Sequence, residues 1–423
     1  MYATKHLRSL YLRSTVILFC IWLNVFYLSG QTGCETSKKW VGTWSTALQL
    51  VEPRNNPPSP GLTGNSLRQV VRVSTGGEVM RVKFSNEFSK SHVTMLSVQF
   101  AASAGGDAIE QSTNIKLTFN GAPEITMEPG TAITSDPIAF NLQPGMDVAI
   151  TIYFGDTSAD ITGHPGSRTT SYILPGNNDS VTDFTGSVTT EHWYAISGID
   201  VLAPSESSCV AILGNSITDG RGSTTNLQNR WPDLLSERLR ANPGTAHAGV
   251  LNLGIGGNCV LRDCLGPAGI SRYEKDILSQ AGVKWIIIFE GVNDIGGVKS
   301  ADAAASVAGG LIDAYNLMID SAHSRGLKIY GATITPFKGN GYYNQYSEAC
   351  RNEVNGWIRN SGRFDAVIDF DQVLRNPEDT ASLVSSFQND GLHPDISGFR
   401  KMADCIDLKL FESSGADKPT VEK

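Results

Sequence analysis

Positive charge is scarce in this chain. Thirty-four Lys and Arg stand against 42 Asp and Glu, giving a net charge of −8, and charged residues make up only 18% of the 423. The two signs are scattered, so no basic patch exists to track a phosphate backbone, and nucleic acid is excluded as a partner. Cysteine is rare at seven residues, too few for a small disulfide scaffold. No cysteine–histidine group has zinc-ligand spacing, and neither a metal nor a cofactor is expected. A long apolar run is also missing. Residues 15–28 are mostly apolar but interrupted by Asn24, short of the roughly 20 residues that a spanning helix needs. The second half has no extended apolar segment that could close over a fatty acyl chain.

The apolar run does have flanks that give it a meaning. Lys5, Arg8 and Arg13 precede most of it, no acidic residue occurs before Glu35, and Leu28-Ser29-Gly30 offers small residues for cleavage. Residues 1–30 therefore read as a signal peptide, with an uncleaved anchor as the alternative, and the protein is expected to be secreted, periplasmic or held at the cell surface. Gln31-Thr32-Gly33-Cys34 has the outline of a lipoprotein box, with Gln31 where an aliphatic residue is usual. That leaves a lipid anchor at Cys34 open, but no stable insertion of the mature chain. An exported protein permits disulfides. Cys259 and Cys264, with four residues between them in a loop, are the expected bridge, two free cysteines being the alternative. Cys209 leads into an apolar run and reads as a core residue.

A chain of this length predicts two domains. Residues 35–203 contain short alternating runs such as Val79-Met80-Arg81-Val82-Lys83-Phe84, separated by turns such as Pro129-Gly130 and Pro144-Gly145. With no long amphipathic helix, this pattern predicts a β-sandwich or jelly roll. Ala203-Pro204-Ser205-Glu206-Ser207-Ser208 reads as the linker. From 209 to 413 strands alternate with helices: strands over 250–255, 283–289, 328–334 and 364–370, helices over 300–325, 345–360 and 396–411. That alternation predicts a parallel sheet covered on both faces. Residues 414–423 are left as a tail.

Four segments of this second region carry chemistry. Gly214-Asn215-Ser216-Ile217-Thr218-Asp219-Gly220 follows the apolar strand Val210-Ala211-Ile212-Leu213. Gly256-Gly257-Asn258, Gly291-Val292-Asn293-Asp294 and Asp390-Gly391-Leu392-His393 come after it. The carboxyl ends of strands in an open α/β sheet are where such folds place their sites. Taken together, the four segments resemble the blocks of the SGNH, or GDSL-type, hydrolases. The resemblance covers about half the chain and maps the family's four residues onto Ser216, Gly257, Asn293 and His393, with Asp390 three residues before the histidine. Asn215 stands where that family usually has Asp, an amide in place of a charge. The resemblance implies a flavodoxin-like strand order, 2-1-3-4-5, for a three-layer sheet.

The residue types suit ester hydrolysis. Ser216 is a weak nucleophile until a base accepts its proton, and His393 is the candidate base. Asp390 on the other ring nitrogen would fix the tautomer. The backbone N–H groups of Ser216 and Gly257 and the Asn293 amide would receive the oxyanion. Asp219 and Arg230 read as surface residues or as the mouth of the site, Glu290 as a buried hydrogen-bonding residue, and Trp231 as core. A β-domain ahead of such a hydrolase resembles secreted carbohydrate esterases, which implies a short acyl group, acetyl above all, on a saccharide. A lysophospholipase or short-chain lipid esterase and a feruloyl esterase are the enzymatic alternatives. A glycan-binding protein with an inactive hydrolase domain is the non-enzymatic one.

Overall fold

Alternation of apolar and polar residues builds the first region. In the strand Gly77–Ser85, Met80, Val82 and Phe84 are buried while Val79, Arg81 and Lys83 between them are not, the period-two pattern of a half-buried strand. The computed structural model describes residues 37–412. The signal-peptide segment, Cys34 and the tail 414–423 lie outside the described residues.

Two antiparallel sheets form. One runs in the order Lys38–Ser45, Ile196–Pro204, Gly77–Ser85, Ile138–Leu142. The other is centred on Asn65–Arg72, Asp147–Phe154 and Val93–Gly105. Their inner faces meet where Phe100 of one packs edge-on against Phe140 of the other, ring centres 4.8 Å apart, the geometry that ring quadrupoles favour. A third, small sheet joins Trp193–Tyr194, Thr162–His164 and Gln49–Leu50. It matters because it carries Gln49 and His164 toward the second region.

The second region is a five-stranded parallel sheet in the order Ala248–Gly254, Ser208–Gly214, Val283–Phe289, Lys328–Ala332, Ala366–Ile368. Strand Ser208–Gly214 is buried along its whole length, as expected of a sheet with helices on both faces. Strand register gathers the candidate residues. Gly214 pairs with both Gly254 and Phe289, so three strands end level, and the loops bearing Ser216, Gly257 and Asn293 leave the same edge. Helices Trp231–Ala241, Ala301–Ser324, Gln345–Asn360 and Ile396–Asp404 cover the sheet.

Three boundaries differ from the sequence reading. The last strand spans only Ala366–Ile368, because the Asp369 side chain accepts a hydrogen bond from the Gln372 N–H and starts a helix at Phe370. The last helix stops at Asp404, and Asp407 caps a separate short turn, Leu408–Phe411. The linker is no flexible connection. Strand Ile196–Pro204 passes to Ser208–Gly214 through a tight turn closed by the Ser207 N–H on Pro204 O. The described residues from Lys39 onward cluster as one compact unit. No helix among the described residues is long and apolar enough to cross a membrane.

Candidate active site

The strand-to-helix turn at Gly214 is tight enough to dictate its residues. A Cβ on Gly214 would lie 2.2 Å from Thr218 Oγ1, so a side chain there would force the turn open. Asn215 then caps the short helix Ser216–Asp219, its Oδ1 accepting from the Ile217 N–H at 3.0 Å, as N-cap residues do. The helix's own hydrogen bonds begin with Thr218 N and Asp219 N, both donated to Asn215 O. The Ser216 N–H therefore stays outside the helical ladder.

Ser216 Oγ lies 2.8 Å from His393 Nε2, and His393 Nδ1 lies 2.8 Å from Asp390 Oδ2. Asp390 Oδ1 also accepts from the backbone N–H groups of Leu392 and His393. Burial pushes the Asp390 carboxyl upward, but the hydrogen bonds from His393 and Leu392 outweigh it and hold the group below the usual aspartate value. Burial pushes the His393 imidazole below its usual value, against the opposing pull of Asp390, and the charges of Arg221 and Arg168 push the same way. A neutral imidazole bonded to a hydroxyl on one side and an ionised carboxylate on the other can take the hydroxyl proton.

Gly257 sits at φ +73, and a Cβ there would lie 2.8 Å from Leu265 Cδ1, so the position suits glycine on two counts. The turn's own bond runs from Asn258 N to Ile255 O, which leaves the Gly257 N–H outside it. The Asn293 amide is oriented from both ends: Nδ2 donates to Asn258 O at 2.7 Å, and Oδ1 accepts from the Tyr342 hydroxyl at 3.0 Å. Asn258 is itself held by Arg272, whose Nε donates to its Oδ1 and whose Nη2 reaches Gly214 O. The Cys259–Cys264 disulfide closes the loop beside the glycine turn. Asp294 accepts from Val260 N and Leu261 N within it.

The structure brings Ser216, Gly257, Asn293 and His393 to one cleft of ≈ 350 Å³, with Asp390 directly behind the histidine. Of the two readings left open for Asp219 and Arg230, surface residue or mouth of the site, burial removes the first. Asp219 lines the cleft. It is buried, and its Oδ1 faces His164 Nε2 at 2.9 Å. Arg230 is buried too, because its guanidinium turns inward to Asp233 and to Gln228 Oε1. Glu290 is fully buried, and burial raises its carboxyl well above the ordinary glutamate value. Asn215 hydrogen-bonds to it, which gives the amide at that position a physical role: its Nδ2 can donate to Glu290, where a second carboxylate could not. Trp231 is core, edge-on to Phe370. Sequence reasoning missed Tyr342 and the cleft residues from the β-rich region, among them His164 and Arg168.

Residues 212–401 match the GDSL-like Lipase/Acylhydrolase family. The chain thus carries a GDSL-like acylhydrolase domain behind a large β-rich region, and the protein is an enzyme, a carboxylic ester hydrolase of the GDSL type. Among solved structures it is similar to a GDSL-like lipase from Bacteroides thetaiotaomicron (17% identity, 47% of this chain and 85% of that one, TM-score 0.35). It is also similar to the acetyl xylan esterase AlAXEase (20% identity, 47% and 96%, TM-score 0.35). A third is a carbohydrate esterase family 2 enzyme with a carbohydrate-binding domain from Corynascus thermopiles (Myceliophthora fergusii), at 13% identity over 86% of this chain and 98% of that one, TM-score 0.37. A comparison with curated proteins gives no match.

Proposed function

We propose that this esterase removes short acyl groups, acetyl above all, from carbohydrate through an acyl-enzyme on Ser216. The observation that carries the proposal is the continuous hydrogen-bonded line from Ser216 Oγ through His393 to Asp390 at the floor of a cleft. In the proposed reaction His393 Nε2 takes the Ser216 proton as Oγ attacks the ester carbonyl. The oxyanion is received by the N–H groups of Ser216 and Gly257 and by Asn293 Nδ2. The imidazolium then gives its proton to the leaving alcohol, and water, activated by the same histidine, releases the acid.

The lining of the cleft supports a small acyl group. Its purely apolar side chains are Pro165, Leu265 and Leu392, scattered among polar and charged groups. Each methylene of a longer chain gains about 0.8 kcal/mol only where an apolar wall receives it, and among the described residues the apolar side chains of this cleft form no continuous wall. The same polar lining suits a hydroxyl-rich alcohol. Export is part of the proposal, supported by the N-terminal residues and by the Cys259–Cys264 disulfide, which persists in oxidising compartments.

The test is kcat/KM on p-nitrophenyl acetate, butyrate, octanoate and palmitate at sub-micellar concentrations, beside acetate release from acetylated saccharides. A steep fall from acetate upward is expected. An optimum at octanoate or longer would reject the carbohydrate reading in favour of a lipid esterase.

A further inference from the structure

One wall of the cleft comes from the segment after strand Thr162–His164, and Arg168 stands on it. Its φ of +52 lies in the left-handed region, as do those of Asn226 (+68) and Gln228 (+48), a conformation that non-glycine residues adopt only when their surroundings impose it. The three interlock across the seam between the two regions. The Asn226 N–H donates to Arg168 O at 2.9 Å. Asn226 Oδ1 accepts from Thr170 N at 2.7 Å, and Gln228 Nε2 donates to Thr169 Oγ1 at 2.9 Å. The backbone beneath Arg168 is therefore held from both sides, at the expense of three strained residues.

The side chain held so firmly has nothing to hold. Among the described residues Arg168 makes no side-chain hydrogen bond or ion pair, and its Nε is buried without a partner. The deeply buried arginines, by contrast, are satisfied. Arg272 reaches Asn258, Leu253, Asp276 and Gly214, and Arg351 reaches Glu348 and Asp371. The carboxylates of the cleft are engaged elsewhere: Glu52 by Gln49 and Asn55, Asp219 by His164, Asp390 by His393. Arg168 as a whole is only half-buried and lines the cleft without a protein partner for its guanidinium, so it is positioned for a ligand. Arg221 lines the same cleft, 4.0 Å from Asp390 and largely exposed. The charges of both arginines push the His393 imidazole downward, so both are near enough for their charge to be felt at the histidine.

We propose that Arg168 binds the carboxylate of the alcohol, so that the preferred substrate is an acylated acidic saccharide bearing uronate. This rests on the carbohydrate-esterase reading above. The planar guanidinium pairs with a carboxylate through two parallel hydrogen bonds, which fixes the sugar against the imidazole as well as attracting it.

The test compares acetate release from O-acetylated polygalacturonate with that from acetylated galactomannan of equal acetyl content, at low salt. The wild type should prefer the acidic polymer by about ten-fold or more in kcat/KM, and the preference should fade at high ionic strength. Arg168→Gln should abolish the preference mainly through KM, and Arg168→Lys should keep part of it. In Arg168→Gln the acid limb of the pH–rate profile should also move upward, because a charge opposing His393 protonation is gone. Free galacturonate, but not galactose, should compete with p-nitrophenyl acetate in the wild type, a readout that needs no variant to fold. A wild type that uses both polymers equally, or an unchanged ratio in a folded Arg168→Gln, overturns this proposal and leaves the carbohydrate reading standing. Both polymers inert while p-nitrophenyl acetate is turned over would remove that reading and this proposal together. A wild-type preference for p-nitrophenyl hemisuccinate over p-nitrophenyl butyrate would also overturn it, by placing the anion on the acyl side.

Discussion

The Asn293 amide has two donor hydrogens and an acceptor oxygen. One N–H goes to Asn258 O and the oxygen receives the Tyr342 hydroxyl, so one N–H is left for the cleft. Asn293→Ala should therefore lower kcat by roughly 10²- to 10³-fold with little change in KM, the pattern of a donor needed only once the oxyanion forms. Tyr342→Phe removes one neutral hydrogen bond that orients the amide, and should lower kcat by roughly 2- to 10-fold in the same direction. Steady-state kinetics on p-nitrophenyl acetate separates the two effects, and a change confined to KM would make Asn293 a ground-state contact. The histidine sets the pH dependence. Only neutral His393 can accept the serine proton, so activity rises as pH rises through its pKa, and burial has lowered that pKa from 6.5. The acid limb of kcat/KM should have its midpoint below 6.5. A midpoint above 7 would contradict the assignment of the base.

At the scale of elements, the strand ends are what assemble the site. Ser216, Gly257 and Asn293 were legible in the sequence because each sits just past an apolar strand, and level strand ends follow from a parallel sheet. His393 was legible through Asp390 three residues earlier on the same loop. Tyr342 was not, because it lies on an irregular loop before the helix Gln345–Asn360, where no periodicity marks it. The strand predicted over 364–370 came out shorter for a related reason: the Asp369 cap is a local competitor that apolar patterning does not register. The disulfide loop is the element most open to test. Cys259–Cys264 closes a short loop, so its contribution should be at the small end, about 2 kcal/mol. Because Leu265 packs beside Gly257, reduction should also lower kcat/KM. Melting temperature and kcat/KM with and without a reductant check both. Unchanged kcat/KM in the fully reduced protein would mean that the glycine turn does not need the clamp.

At the scale of the whole molecule, the two regions line one cleft, that of the proposed site. Both ring nitrogens of His164 face acceptors, Ala47 O at 2.8 Å and Asp219 Oδ1 at 2.9 Å, and the pair is buried where the β-rich region meets the loop after Ser216. Removing one partner of such a pair leaves the other buried and unpaired. His164→Ala should cost about 1–3 kcal/mol, the penalty of leaving a buried acceptor unpaired, read from denaturant unfolding, and no measurable loss would mean that water replaces the imidazole freely. None of this was legible beforehand. His164, Arg168 and Asp219 lie on segments whose local patterns say only strand and turn, and their meeting depends on how two sheets dock. The sequence reading left Asp219 and Arg230 between the surface and the mouth of the site, and only the docking at this seam, which buries both, decides against the surface.

Everything proposed about catalysis depends on Ser216 as the nucleophile. The most direct test is kcat/KM for p-nitrophenyl acetate with Ser216→Ala, its folding verified by an unchanged melting temperature. The account predicts a loss of about 10³-fold or more, since the hydroxyl supplies the acyl-enzyme and nothing else in the cleft replaces it. A folded variant that keeps a tenth or more of the wild-type rate, roughly 1.4 kcal/mol of barrier or less, would contradict it.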